Sequence, residues 1–334
     1  MTDIPKEMTH IVITEPGGPD VLQAIRTPVP TPESNEILIK VSAAGVNRPD
    51  VIQRQGKYPM PDGVTPVPGL EVAGEVVDLG SEVTSFAIGD EVCGLTNGGG
   101  YAEYCRLPYT QALPIPDGIG MIEAAAIPET FFTVWANLFD IGCAKTGETV
   151  LIHGGTSGIG TTALMLCKAF GIHTIATAGS TEKCEVIEKL GGRAINYRDA
   201  EFVDVVLQET NGSGVSVILD IMGASYFEKN MKALARDGRL VIIGFLGGVT
   251  AKSFNLQELA LKRALVTGST MRARTTAEKS VIAEELRNKV WPILADGRIR
   301  PIIHETFDLQ QASQAHASLE SGEHIGKLVL VVNH

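Results

Sequence analysis

Hydrophobic and polar positions change rhythm near residue 130. Before that point, short β-rich segments at residues 36–41, 71–77, 90–94 and 101–107 read as strands between glycine and proline punctuation. Residues 58–69 are turn-rich, with prolines at 59, 61, 66 and 68. Many short strands with frequent turns predict a compact barrel or irregular sheet for this region. From about residue 148 the pattern becomes strand–helix–strand. Apolar runs at residues 148–153, 173–177, 194–196, 215–220, 239–244 and 264–269 predict six strands. Between them, Ile159, Ala163, Leu166, Cys167 and Phe170 form one helical stripe closed by Gly171, and residues 181–190 and 224–235 predict further helices. Parallel neighbours need such crossovers, so the expectation is a doubly wound sheet. A helix over residues 277–294 and a strand over 327–332 follow, and that strand is expected to return to the first domain.

Composition narrows the partners. With 28 basic and 39 acidic residues the net charge is −11, which argues against nucleic acid or an anionic membrane as the default partner. No apolar run reaches the roughly 18 residues that would span a bilayer, and the N-terminal stretch has no apolar core of a signal peptide. A cytoplasmic location follows by default. Cys93, Cys105, Cys143, Cys167 and Cys184 are scattered without a CxxC pair, so they read as reduced small hydrophobes and not as metal ligands.

The sharpest local motif is His153-Gly154-Gly155-Thr156-Ser157-Gly158-Ile159-Gly160, between a predicted strand and a predicted helix. Gly155 and Gly160 occupy the outer positions of a GxGxxG dinucleotide fingerprint, and Ser157 replaces the middle glycine. Such a turn brings a pyrophosphate close to backbone N–H groups at the positive end of a helix. It is not a GxSxG nucleophile elbow, because Ile159 stands at the second glycine position. At the tip of the next strand, where an NAD enzyme places Asp or Glu on the ribose, the chain reads Ala178-Gly179-Ser180-Thr181-Glu182-Lys183. A small tip with a hydroxyl and a lysine behind it favours the 2′-phosphate of NADPH, with Glu182 as an objection should it point inward.

Further along, several motifs resemble the medium-chain dehydrogenase/reductase superfamily over nearly the whole chain. They are Gly45-Val46-Asn47-Arg48-Pro49-Asp50, Gln53-Arg54-Gln55-Gly56-Lys57-Tyr58-Pro59, Gly69-Leu70-Glu71-Val72-Ala73-Gly74-Glu75-Val76, Gly98-Gly99-Gly100-Tyr101-Ala102-Glu103-Tyr104, Ala124-Ala125-Ala126-Ile127-Pro128-Glu129 and His324-Ile325-Gly326-Lys327. Together they are similar to the zinc-free quinone oxidoreductase branch, closest to the tumour-suppressor-inducible type. Zinc enzymes of the superfamily carry GHExxG; here Leu70 stands in the histidine's place and cannot ligate a metal. Without a Lewis acid, reduction of a quinone or an activated alkene fits better than alcohol oxidation.

The resemblance implies a Rossmann NADPH-binding domain over residues 130–272 and a β-rich, GroES-like substrate domain formed by 1–129 with 273–334. It also implies that Asn47 and Thr133 approach the nicotinamide ribose, that Gly179, Ser180, Lys183 and Tyr197 surround the adenosine phosphate, and that Phe245, Leu246 and Met271 line the nicotinamide. Each also has a bland reading as turn, rim or core. Tyr58, in the proline-rich loop, is expected to face substrate, either orienting a quinone oxygen through its hydroxyl or only packing against it. His153, Glu71 and Arg54 read as structural, and Lys327 as phosphate-reaching or solvated. The implied activity is NADPH-dependent quinone reduction. The alternatives are reduction of an enal, enone or enoyl thioester, and non-catalytic NADPH binding like the lens and RNA-associated relatives of the branch. The last apolar strand, at residues 264–269, holds no lysine or proline in its interior and is expected to join two chains into a homodimer.

Overall fold

Alternation with a period of two gives every strand of the N-terminal region a pair of different faces. The computed structural model describes residues 4–334. They divide into two units, one running to Phe132 and resuming at Arg272–His334, the other Thr133–Met271. In the first unit β1 (Glu7–Ile13) and β2 (Leu22–Pro28) form an antiparallel ribbon that the sequence pattern did not predict. β3 (Glu36–Val46), β4 (Glu71–Leu79), β5 (Glu91–Leu95), β6 (Tyr104–Pro108) and β7 (Ala112–Pro114) follow. Along β3, Ile37, Ile39 and Val41 enter one core with Val72, Val76 and Leu330, while Leu38 enters a second with Met8, Val77 and Tyr104. Burial on both faces explains why β3 reads as a nearly continuous apolar run.

β6 begins three residues later than the strand expected at 101–107. Gly98 and Gly99 have φ of +142° and +87°, and Tyr101 donates its N–H to the Pro68 carbonyl at 3.0 Å, so residues 101–103 make only an isolated bridge to β1, His10 opposite Ala102, before β6 starts.

In the second unit six strands alternate with helices: β8 (Thr149–Ile152), β9 (His173–Ala178), β10 (Arg193–Asn196), β11 (Val215–Asp220), β12 (Leu234–Ile242) and β13 (Leu265–Gly268). They form one parallel sheet in the order β10-β9-β8-β11-β12-β13. The order reverses between β8 and β11, the switch point at which doubly wound sheets bind their ligands. The helix expected over 224–235 is shorter. A 3₁₀ turn, Gly223–Ser225, precedes the helix Phe227–Ala233, and β12 starts at Leu234 with a register shift opposite Val215–Val217. Asp237, at φ +60°, lies in this irregular start and hides the strand from a period-two reading.

The chain then returns to the first unit. The helix expected over 277–294 is two helices, Thr276–Lys289 and Trp291–Ala295. Pro292, which has no N–H to donate, sits in the first turn of the second. Finally β14 (Ile303–Asp308) pairs parallel with β15 (Lys327–Val331). β15 pairs antiparallel with residues 43–46 of β3, while β6 pairs with residues 36–40 of the same strand. That register brings Lys327, the first residue of β15, beside Val46 and Asn47. No helix among the described residues is long and apolar enough to cross a membrane.

Candidate active site

The glycine-rich turn in the second unit joins β8 to the helix Gly158–Ala169. Gly154 has φ +72°, a conformation that disfavours side chains. A Cβ on Gly160 would lie 2.3 Å from the Gly154 carbonyl oxygen, and one on Gly155 would lie 2.7 Å from Ala176 Cβ and from Ile187 Cδ1. Both outer fingerprint glycines therefore allow close packing of turn, strand and helix. The middle position tolerates Ser157 because the serine caps the helix. Its Oγ accepts from Gly160 N–H at 3.0 Å and donates to the Gly154 carbonyl at 2.8 Å. Thr156 is buried in the same turn. Gly158 and Ile159 open the helix, so their N–H groups have no acceptor within it. A backbone cradle of this kind at a helix N-terminus fits a pyrophosphate.

Gly179, Ser180, Lys183 and Tyr197 come together at the C-terminal ends of β9 and β10. Tyr197 donates its N–H to Ala178 O at 3.0 Å, and its phenol oxygen lies 2.5 Å from where a Gly179 Cβ would be. The room left by glycine at this strand tip is thus occupied by a hydroxyl. Ser180 caps the next helix by accepting from Lys183 N–H at 3.3 Å. Glu182 is fully exposed, and its carboxyl is held below its usual range by its own N–H and by the Ser180 hydroxyl. An acidic group therefore lies near the expected phosphate position. Phe245 and Leu246 are each 53% exposed on the turn after β12, which excludes the core reading for both. Met271 is buried beyond β13. Thr133 is half-buried, and its carbonyl accepts from Asn137 Nδ2 at 2.8 Å.

Beneath the turn lies a polar chain. Asp220 accepts from Met222 N–H at 2.6 Å, Gly223 N–H at 3.1 Å and Asn230 Nδ2 at 3.1 Å. Asn230 Oδ1 in turn lies 2.7 Å from His153 Nε2, which must carry the proton. Burial pushes Asp220 up to about 6 and His153 down to about 4, so the imidazole is neutral and serves as a spacer.

The first unit holds a denser polar cluster. Lys327 Nζ donates to Glu71 Oε1 at 2.6 Å, Asn47 Oδ1 at 2.5 Å and Val46 O at 3.3 Å. Lys327 is thus neither solvated nor free to meet a phosphate; it is half of a buried ion pair. Asn47 also donates Nδ2 to Glu71 Oε1 at 2.8 Å, so both ends of its amide are engaged within this unit. Gly45 must be glycine, since a Cβ there would stand 2.0 Å from Glu71 Oε1. Asp50 accepts from the N–H groups of Asn47 and Gly69, and burial raises it to about 6. Arg54, buried against Glu320 at 2.8 Å, lies 3.3 Å from His316 Nδ1. His316 Nε2 therefore carries the hydrogen that meets the Tyr101 hydroxyl at 3.1 Å.

Tyr58 packs its ring under Arg272, whose guanidinium carbon is 5.1 Å from the ring centroid. Arg272 is anchored by Gln53 Oε1 at 2.7 Å and by two bonds to Asn97 O, at 3.1 and 2.7 Å. Burial and the Glu129 charge push the Tyr58 phenol above its ordinary value. Two further groups escaped the sequence reading. Glu129 is raised to about 8 by burial and then by Glu71, and Lys279 is lowered to about 8 by burial. A signal for Lys279 was present: it shares the buried stripe of its helix with Ile282, Ala283 and Leu286, an unusual place for a lysine. Among the described residues no group of three or more His, Cys, Asp or Glu is arranged to hold a metal ion. Leu70 is buried.

Comparison with known proteins finds two family models along the chain. Residues 33–117 match the alcohol dehydrogenase GroES-like domain, and residues 158–286 match the zinc-binding dehydrogenase family. The quinone oxidoreductase of Rattus norvegicus is 30% identical over 331 residues, covering 98% of each chain. The Escherichia coli quinone oxidoreductase solved in complex with NADPH is 31% identical with a TM-score of 0.86, covering 97% of this chain and 99% of that one. The CurK enoyl reductase structure is 25% identical with a TM-score of 0.87, covering 98% and 100%.

Proposed function

Because this chain belongs to the quinone oxidoreductases of the medium-chain dehydrogenase/reductase superfamily, we propose that it uses NADPH to reduce quinones without a metal ion. The observation that carries this reading is a close-packed glycine turn at a helix N-terminus, in a chain whose position 70 is a buried leucine. Leucine offers no ligand, and the neighbouring Glu71 is committed to Lys327, Asn47 and the Glu129 N–H. When bound, the reduced nicotinamide supplies a hydride, and an electron-poor quinone accepts it without Lewis-acid help.

The residues of the chain have separate tasks in this reading. Gly155, Thr156, Ser157, Gly158, Ile159 and Gly160 hold the pyrophosphate through backbone N–H groups and the helix end. Gly179, Ser180, Lys183 and Tyr197 receive the 2′-phosphate, with Lys183 supplying charge against the nearby Glu182. Phe245, Leu246 and Met271 shield the nicotinamide ring from water, and Thr133 borders its ribose. Arg272 fixes the Tyr58 ring so that the phenol, held in its protonated form, donates to a substrate oxygen as negative charge develops. The working assembly is a homodimer joined along β13. Likeness to the CurK enoyl reductase keeps activated alkenes as a second substrate class, since they also accept hydride without a metal.

Fluorescence titration should show NADPH binding more tightly than NADH. Lys183→Ala should narrow the gap by roughly tenfold, the loss of one charge-assisted contact. A panel of quinones and enones run with both cofactors then ranks the acceptors. Equal affinity for the two cofactors in the parent protein rules out the NADPH assignment.

A further inference from the structure

A buried carboxyl ordinarily has a hydrogen-bond partner in the protein, and that of Glu129 has none among the described residues. It follows the apolar run Ala124-Ala125-Ala126-Ile127 and enters the helix Pro128–Val134, where it is only 9% exposed. Its N–H donates to Glu71 Oε2 at 2.8 Å, but no described residue hydrogen-bonds or ion-pairs with its carboxyl. The charged and titratable groups around it are Glu71 on β4, Asp50 on the helix Arg48–Arg54, Lys327 on β15, Lys279 on the helix Thr276–Lys289, and Arg272 and Tyr58. The three cations act on it by charge alone and make their hydrogen bonds elsewhere: Lys327 with Glu71 and Asn47, Arg272 with Gln53 and Asn97, and Lys279 with Asn97 Oδ1 and Arg272 O. Glu129 thus has a proton to give and no protein acceptor for it, within the electrostatic reach of the phenol assigned to substrate.

We propose that Glu129 is the proton donor of the reduction, delivering its proton to the acceptor oxygen alongside the Tyr58 hydroxyl. The proposal rests on the reductase reading above. The acceptor gains two electrons as hydride from the reduced nicotinamide and is left with an oxyanion. The carboxyl O–H of Glu129 breaks as the acceptor O–H forms, and the carboxylate then regains a proton from water. Lys279, a cation with a donor to spare, favours the carboxylate in the interval. A neutral carboxyl that ionises at about 8 is matched to this task near neutral pH, whereas the Tyr58 phenol, pushed upward, holds its proton more firmly.

The test is the pH dependence of NADPH-driven quinone turnover from about pH 6 to about pH 10, in the parent, Glu129→Gln and Lys279→Met. The parent rate should fall above about 8 as the carboxyl ionises. Glu129→Gln should lower kcat on the order of 100-fold and abolish that falling limb, with NADPH affinity unchanged. Lys279 is itself lowered to about 8, and its replacement separates the two groups. In Lys279→Met the limb should persist and move to higher pH, because a cation that lowered Glu129 is gone. Infrared spectra at neutral pH, taken without cofactor, should show a protonated carboxyl band that Glu129→Gln removes. A Gln variant that keeps the parental limb, whether or not it slows, overturns the assignment while the reductase reading stands. So does a limb that vanishes in Lys279→Met, or a missing infrared band. A parent protein that reduces neither quinone nor enone removes both readings.

Discussion

At the scale of single residues, Glu129 links stability to pH with a definite sign. Its carboxyl ionises at about 8 in the folded chain, against 4.5 for an ordinary glutamate. Between those values the folded state holds a proton that the unfolded state has released. The contribution of Glu129 is therefore full below 4.5, is lost as pH rises through about 8, and is constant beyond. Glutamine mimics the neutral acid and carries no such linkage. Glu129→Gln should match the parent near pH 5, become more stable through pH 8 by a few kcal/mol, and then keep that margin (an order-of-magnitude value, at ~1.4 kcal/mol per pH unit). Urea midpoints measured across this range check the prediction, and a parent–variant difference independent of pH contradicts it.

At the scale of elements, the nucleotide turn shows how packing overrides propensity. Alanine in place of a helical glycine ordinarily stabilises by about 1 kcal/mol. At Gly160 the added methyl would lie 2.3 Å from the Gly154 oxygen and 2.5 Å from the Gly155 carbonyl carbon, both backbone atoms that cannot rotate away. The helix would have to move off the turn, and with it the N–H groups of its first turn. Gly160→Ala should therefore destabilise by roughly 1–3 kcal/mol and weaken NADPH binding at least about tenfold. Thermal unfolding with and without NADPH, together with fluorescence titration, measures both effects. A more stable variant with parental affinity would falsify this account of the turn.

At the scale of the whole molecule, the edge of the parallel sheet bears on assembly. β13 pairs with β12 on one side only, which leaves backbone donors and acceptors open on the other. The surface around it is apolar: Leu265 is 49%, Leu256 67% and Leu261 72% exposed. Pairing with β13 of a second copy would satisfy the edge and cover those leucines in one two-fold contact. We expect sedimentation to give a dimer at micromolar concentration. Val266→Pro, which removes a backbone donor, should shift it toward monomer while NADPH binding reports an intact fold. A parent protein that sediments as monomer excludes the dimer.

Local chemistry made much of this protein legible without a structure. The strand–helix rhythm after residue 148 foretold the parallel sheet, because a period is a property of neighbouring residues. The fingerprint at 153–160 was equally legible, since a tight turn into a helix demands glycine at particular offsets. Leu70 spoke against a metal ligand by its chemistry alone. The weakly alternating ribbon of β1 and β2 was not legible, nor was β12 before residue 239, where an irregular start breaks the period. Only the tertiary structure decided the fate of the buried charges. Lys327 meets Glu71 across 256 residues of sequence, and Lys279 meets Asn97 across 182. A charge leaves water only where partners from distant segments converge on it, and no local pattern reports that convergence. The same holds for Glu129, buried with no hydrogen-bond partner for its carboxyl, an arrangement that exists only once the chain is folded.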